Sequence, residues 1–183
     1  MLPISLLNQP ISVMKKLITF TLLLFAMTAS SQEINKKTKD AAGNTTGLIN
    51  ICTRAGLQAL PEMQHRYEVE YPAYQPDANA IIALQPLMKG KKITIVMGTW
   101  CGDSQLQVPH FYKMLDALNF KEQDITLICV DHSKQAENGL IDGMNISHVP
   151  TFILTEEGKE LGRITESPRA TLEKDMLSIF AKK

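Results

Sequence analysis

The run Lys92-Ile93-Thr94-Ile95-Val96-Met97-Gly98-Thr99-Trp100-Cys101-Gly102-Asp103-Ser104 decides the fold. Lys92 to Met97 is nearly continuous in apolar character, as strands buried on both faces are. Gly98-Thr99-Trp100 turns the chain out of that strand. From about Cys101 to Leu118, the residues Val108, Phe111, Met114, Leu115 and Leu118 recur at helical intervals and predict an amphipathic helix. Pro109 falls inside it and is expected to kink it. Cys101 therefore stands at the amino end of a helix. Exposed backbone N–H groups and the positive helix end favour negative charge there, and the thiolate rather than the thiol is the nucleophile. Asp103 adds a carboxylate that works the other way.

Outward from this run, Asp124 to Val130 reads as a second buried strand and Ser133 to Ile141 as a short helix. Thr151 to Leu154 and Lys159 to Ile164 flank Glu156-Glu157-Gly158 and predict a hairpin. Ser167 is expected to cap a last helix, opened by Pro168 and running to about Ala181. Upstream, Asp77 caps a helix from Ala78 to Met88, with Ile81, Ile82, Leu84 and Leu87 as its apolar stripe and Gly90 at its end. A helical crossover between strands implies parallel pairing, and the closing hairpin adds antiparallel strands. The expected class is α/β: a central mixed β-sheet flanked by helices on both faces, occupying residues 77–183.

Ahead of that domain, residues 32–76 read as an extension. Gln32 to Gly47 is polar and expected to be a flexible lead-in, Leu48 to Tyr67 a helix broken by Pro61, and Tyr71 to Pro76 a proline-punctuated connector. Residues 1–31 read as a secretory signal peptide: Met14-Lys15-Lys16, then the apolar run Leu17 to Met27, then Thr28-Ala29-Ser30-Ser31 before cleavage. Met14 is the expected true start. The apolar core is far shorter than the roughly 20 residues that span a bilayer. The expectation is an exported protein of the periplasm or cell envelope, with no stable membrane span after cleavage.

The full sequence carries 19 basic and 19 acidic residues, so no basic face is implied and nucleic-acid binding has no support. Three cysteines, Cys52, Cys101 and Cys129, leave at least one unpaired within a monomer. Cys129, inside Leu127-Ile128-Cys129-Val130, reads as a small buried apolar residue. Cys52, in the extension, reads as incidental or as a partner for Cys101. His65, His110 and His132 show no metal spacing, and neither a metal nor a cofactor is expected.

Several separate points resemble the thioredoxin superfamily. Trp100-Cys101-Gly102 follows a strand, Pro109 lies eight residues after Cys101, and Val149-Pro150-Thr151 begins 48 residues after it. The resemblance covers about residues 77–183 and is nearest to thioredoxin-like proteins of the bacterial envelope. It implies a thioredoxin fold and thiol–disulfide exchange with Cys101 as nucleophile. It further implies a cis Pro150 packed against Cys101, and Val149 backbone that pairs with an extended client as strands do. Trp100, Gly102, Asp103, His148, Val149 and Pro150 would then form the client-binding surface. Expected partners are protein or low-molecular-weight thiol and disulfide clients and an external thiol reductant.

Two departures shape the chemistry. Ser104 stands where dithiol members carry a resolving cysteine, and Ile95 where they keep a buried aspartate. Ser104 would act beside Cys101 by hydrogen-bonding its sulfur without displacing a client. His148, two residues before Pro150, is a candidate to stabilise the thiolate, against the alternative of a loop histidine without a partner. The leading expectation is a single-cysteine oxidoreductase, resolved by an external thiol or by Cys52. The alternative is a client-capture or chaperone module using the same groove. Cys-Gly-Asp-Ser also resembles the monothiol glutaredoxin site, but Trp100 is thioredoxin-like. Gly98 at the third position before Cys101 argues against a peroxiredoxin.

Overall fold

The computed structural model describes residues 33–181; the signal-peptide expectation lies outside them. The elements run in the order β1 (Lys36–Lys39), β2 (Thr45–Cys52), α1 (Arg54–Gln58), α2 (Pro61–Ala73), α3 (Ala78–Leu84), β3 (Lys91–Met97), α4 (Gly102–Ala117), β4 (Ile125–Cys129), β5 (Thr151–Glu156), β6 (Lys159–Thr165) and α5 (Leu172–Phe180). Short 3-10 turns occupy Gln85–Met88, Glu122–Asp124 and Glu137–Gly139. Six strands form one sheet in the order β1-β2-β4-β3-β5-β6. Only β3 and β4 are parallel, and α4 makes the crossover between them.

The amino-terminal segment belongs to the sheet, where the sequence reading expected a flexible lead-in and a broken helix. Asp40 turns β1 into β2: its Oδ1 accepts the amides of Ala42 at 2.9 Å and Asn44 at 2.8 Å, with Gly43 at φ +86°. In Leu48 to Cys52 the more buried residues are Leu48, Asn50 and Cys52, a period of two that belongs to a strand rather than a helix. β2 then pairs antiparallel with β4, Asn50 opposite Cys129 and Cys52 opposite Leu127. Thr53 ends the strand and caps α1 by accepting the Gly56 amide at 2.9 Å. Pro61 does separate two helices, at the first position of the second.

Asp77 caps α3 as expected, accepting from Asn79 and Ala80. The β5–β6 loop is Glu157-Gly158, both at positive φ, which is the two-residue turn that matches strand twist. The last helix starts later than Ser167-Pro168 predicts. Thr171 is its cap, and the Asp175 carboxylate takes the Arg169 and Ala170 amides, so Pro168 sits in the turn before it.

Two apolar clusters lie on opposite faces of the sheet. On one face Ile93, Ile95, Met97, Leu127, Cys129, Phe152 and Leu154 pack under α2, α4 and α5, with the Phe111 and Phe152 rings 4.0 Å apart. On the other face Val96, Ile128, Val130 and Val149 pack with Ile141, Leu140, Met144 and Ile146. A helix over Ser133 to Ile141 was expected here, but only the short turn Glu137–Gly139 forms. Lys134, Asn138 and Gly139 take left-handed φ of 58°, 55° and 69°, which a helix does not tolerate. Among the described residues no helix is long and apolar enough to cross a membrane.

Candidate active site

β3 delivers the chain to the carboxyl edge of the parallel pair, and Gly98-Thr99-Trp100 lifts it over the edge into α4. The Cys101 amide closes that turn on the Gly98 carbonyl at 3.0 Å, and the Cys101 carbonyl accepts the first helical bond from Gln105 at 2.9 Å. Cys101 is thus the N-cap residue of α4, with extended backbone and a half-buried side chain. Its sulfur donates to the Val149 carbonyl at 3.3 Å, which brings the helix start against the loop ahead of β5. The Val149–Pro150 bond in that loop is cis.

Several contacts fix the turn that carries the thiol. Trp100 donates Nε1–H to the Val130 carbonyl at 3.1 Å and stacks on His132, with ring centroids 4.4 Å apart. Gly98 leaves room for that indole: a Cβ there would lie 2.6 Å from the ring. Gln105 is buried in the first turn of α4 and donates Nε2–H to both the Thr99 carbonyl and the Glu62 carboxylate of α2, each at 2.9 Å. Thr99 is buried in turn, and its hydroxyl takes the Leu48 amide of β2 at 3.4 Å. The amino-terminal hairpin and α2 therefore brace the active-site turn from behind.

The expected site residues separate. Trp100, Cys101, Val149 and Pro150 come together around the sulfur. Gly102 and Asp103 are exposed on the first turn of α4. Ser104 is fully buried, and its oxygen accepts the Gly98 amide at 3.3 Å instead of bonding the Cys101 sulfur. That amide leaves the end of β3 without a ladder partner, so the hydroxyl completes it. His148 is exposed, its Nδ1 shared with the Ser147 hydroxyl at 2.9 Å, while its carbonyl accepts from Thr151 at 2.7 Å. Its role here is in the loop rather than on the sulfur.

Cys52 is not poised to resolve Cys101. It ends β2 within the cluster under the helices, beside Cys129, whereas Cys101 packs with the cluster on the opposite face. Reasoning from sequence missed Gln105, Glu62, Thr99 and His132. Only Gln105 left a trace, as a polar residue one helical turn after Cys101 on a face that must be buried. Among the described residues no group of three or more His, Cys, Asp or Glu side chains gathers to hold a metal.

A cysteine raised from a buried parallel strand onto the first turn of a helix, under a carbonyl from a cis-proline loop, is a thiol site of the thioredoxin-fold class. Residues 85–178, just over half of the sequence, match the Thioredoxin family model, and the chain belongs to that family. Over 97 residues it is 26% identical to thioredoxin H2 of Arabidopsis thaliana, covering 52% of this chain and 68% of that protein. An HIV epitope-scaffold has a similar fold at TM-score 0.55 and 16% identity, covering 72% of this chain and 93% of its own. Oxidised mitochondrial thioredoxin 3 of Saccharomyces cerevisiae is also similar, at TM-score 0.36 and 23% identity over 60% of this chain and 98% of its own. Fold and family together support a function of the thiol–disulfide oxidoreductase kind.

Proposed function

We propose that the protein exchanges disulfides through a single nucleophile, Cys101, on protein or low-molecular-weight disulfides of the cell envelope. One observation carries this reading: Cys101 is the half-exposed thiol at the helix start, while Cys52 and Cys129 are buried on the other face of the sheet. The Cys101 thiolate attacks a client R–S–S–R′, a Cys101–S–S–R bond forms, and R′–S⁻ leaves with its electron pair. An external thiolate then attacks the mixed disulfide and returns Cys101 to the thiolate. A client chain would pair with the backbone around Val149, as the resemblance implies, with Trp100 and the exposed first turn of α4 beside it. The envelope assignment rests on the signal-like residues 1–31 of the sequence.

A second reading, capture of clients without turnover, is favoured by Ser104. Its hydroxyl is committed to Gly98, and no second thiol stands beside Cys101 to release a bound client. The two separate in one experiment. Purified full-length protein and its Cys101→Ser variant are incubated with a small aromatic disulfide, with and without reduced glutathione, and thiol release is followed. Glutathione-dependent turnover by the wild type, lost in the variant, supports the oxidoreductase. One stoichiometric burst that glutathione does not extend supports capture, and equal release by both proteins sinks both readings.

A further inference from the structure

The two cysteines that the active site leaves unused lie in the same core cluster, on neighbouring strands. Cys52 ends β2, and Cys129 ends the neighbouring β4, one register step away diagonally: Asn50 lies opposite Cys129 and Cys52 opposite Leu127. Both side chains point to the same face of the sheet and enter the same apolar cluster, at 4% and 0% exposure. Diagonal cross-strand positions stand about 7–8 Å apart, so closing a bridge between two short cysteine side chains draws the strand ends together, and here the Cys52 side chain leans the right way. Its sulfur folds back along β2 to the Asn50 carbonyl at 3.4 Å, toward the register position that faces Cys129. The neighbouring Cys52 side chain, and then burial, push the Cys129 thiol well up.

We infer that Cys52 and Cys129 form a second, buried dithiol that closes into a cross-strand disulfide, tying the amino-terminal hairpin to the central sheet independently of Cys101. Closure needs an oxidant, which a low-molecular-weight disulfide such as oxidised glutathione supplies. One cysteine thiolate attacks it, forming a mixed disulfide and releasing one glutathione thiolate. The second cysteine thiolate then displaces the other, so two electrons pass from the cysteine pair to the oxidant and two thiols leave. In the closed sheet a buried, protonated thiol is a poor nucleophile. The bridge is therefore made while β2 is still docking onto β4. The consequence is mechanical: β2 holds the Thr99 hydroxyl through the Leu48 amide, so a bridge at the end of β2 locks the brace behind the active-site turn.

The test refolds the full chain from denaturant in oxidised and reduced glutathione, quenches with acid, alkylates, and maps the cysteine peptides. A peptide pair joining Cys52 and Cys129, two hydrogens lighter than its separate halves, is the expected product, formed equally in the Cys101→Ser variant. The bridged protein should melt roughly 4–16 °C above the reduced form. Cys52 and Cys129 recovered as separately alkylated thiols, or either one found bridged to Cys101, overturns the inference. So does an unchanged melting temperature in bridged protein. The Cys101→Ser arm separates this result from the proposed chemistry at Cys101, since each can fail while the other stands.

Discussion

Trp100 lies on His132 with the two rings 19° from parallel, so a residue that ends one strand's excursion covers the residue that introduces the nucleophile. Trp100 is the single tryptophan of the chain, so the tryptophan emission comes from this ring and responds to its contacts. His132→Ala should change the intensity of that emission and shift it toward longer wavelength, as the exposed imidazole no longer shields the indole. Stability should fall by about 0.5–1 kcal/mol, the value of an aromatic pair at a partly solvated site. An emission spectrum unchanged from wild type would mean that the stack does not persist in solution.

Gly98 tests the same indole from the other side. Its backbone is in a region any residue adopts, so a substitution acts through space alone. An added Cβ would sit 2.6–2.8 Å from three ring atoms, which forces Trp100 off Val130 or bends the turn. Gly98→Ala should cost about 1–3 kcal/mol in chemical denaturation, the usual range for overpacking a filled site. It should also slow thiol exchange at Cys101, the residue next to the displaced ring. Wild-type stability together with wild-type exchange would show that the turn is looser than its contacts indicate.

The strand-turn-helix around Cys101 was legible because its two periods, continuous burial and then helical spacing, are local. Parallel pairing and the closing hairpin followed from chain order. The amino-terminal hairpin was not legible: Leu48 to Cys52 is short, and its alternation can be mistaken for helical spacing until β4 supplies a partner. Asn138 and Gly139 cancelled an expected helix through left-handed conformations that composition only hints at. At the site, the sequence singled out Cys101, Trp100 and the Val149–Pro150 loop, which the fold brings together, but not the Ser104–Gly98 or Gln105–Thr99 bonds. Those are contacts between a helix and a turn whose relative placement no spacing rule gives.

Arg54 anchors α1 to α4 and gives the fold an acid-sensitive point. Its guanidinium makes two bonds to the Asp116 carboxylate, at 2.9 and 2.7 Å, and Tyr71 donates to the same carboxylate at 2.6 Å. Burial pushes the Asp116 carboxyl up, but the bonds from Arg54 and Tyr71 outweigh it and hold the group below its ordinary value of 3.8. A carboxyl lowered in the folded state stabilises the fold above the unfolded value. That contribution is lost as pH falls through the folded one. Stability should therefore decline as pH drops below about 4, and Asp116→Asn should flatten that part of the profile. With the Asp116 side chain 39% exposed, solvent and salt will screen the pair and the flattening should be modest. Identical acid limbs for wild type and variant would remove Asp116 from the account.

Ser104 offers the sharpest test of how the site turns over. It lies three residues along α4 from Cys101, the spacing that places side chains on one helical face. Ser104→Cys therefore sets a thiol beside the nucleophile. The cost is the oxygen that now accepts the Gly98 amide, about 1 kcal/mol for a buried donor left with a weaker acceptor. Once a client is joined to Cys101, the introduced thiolate can attack the Cys101 sulfur, form the internal disulfide and release the client thiolate without external help. Being held in place, it should shorten the lifetime of the mixed disulfide by a factor of about ten or more relative to millimolar glutathione. Acid-quenched mass mapping of the protein with a small aromatic disulfide reads this directly. An internal bridge between positions 101 and 104 is expected, with the client adduct nearly absent. Persistence of the adduct at wild-type levels would mean that this position does not face the sulfur, and that something other than the missing second thiol sets the rate of release.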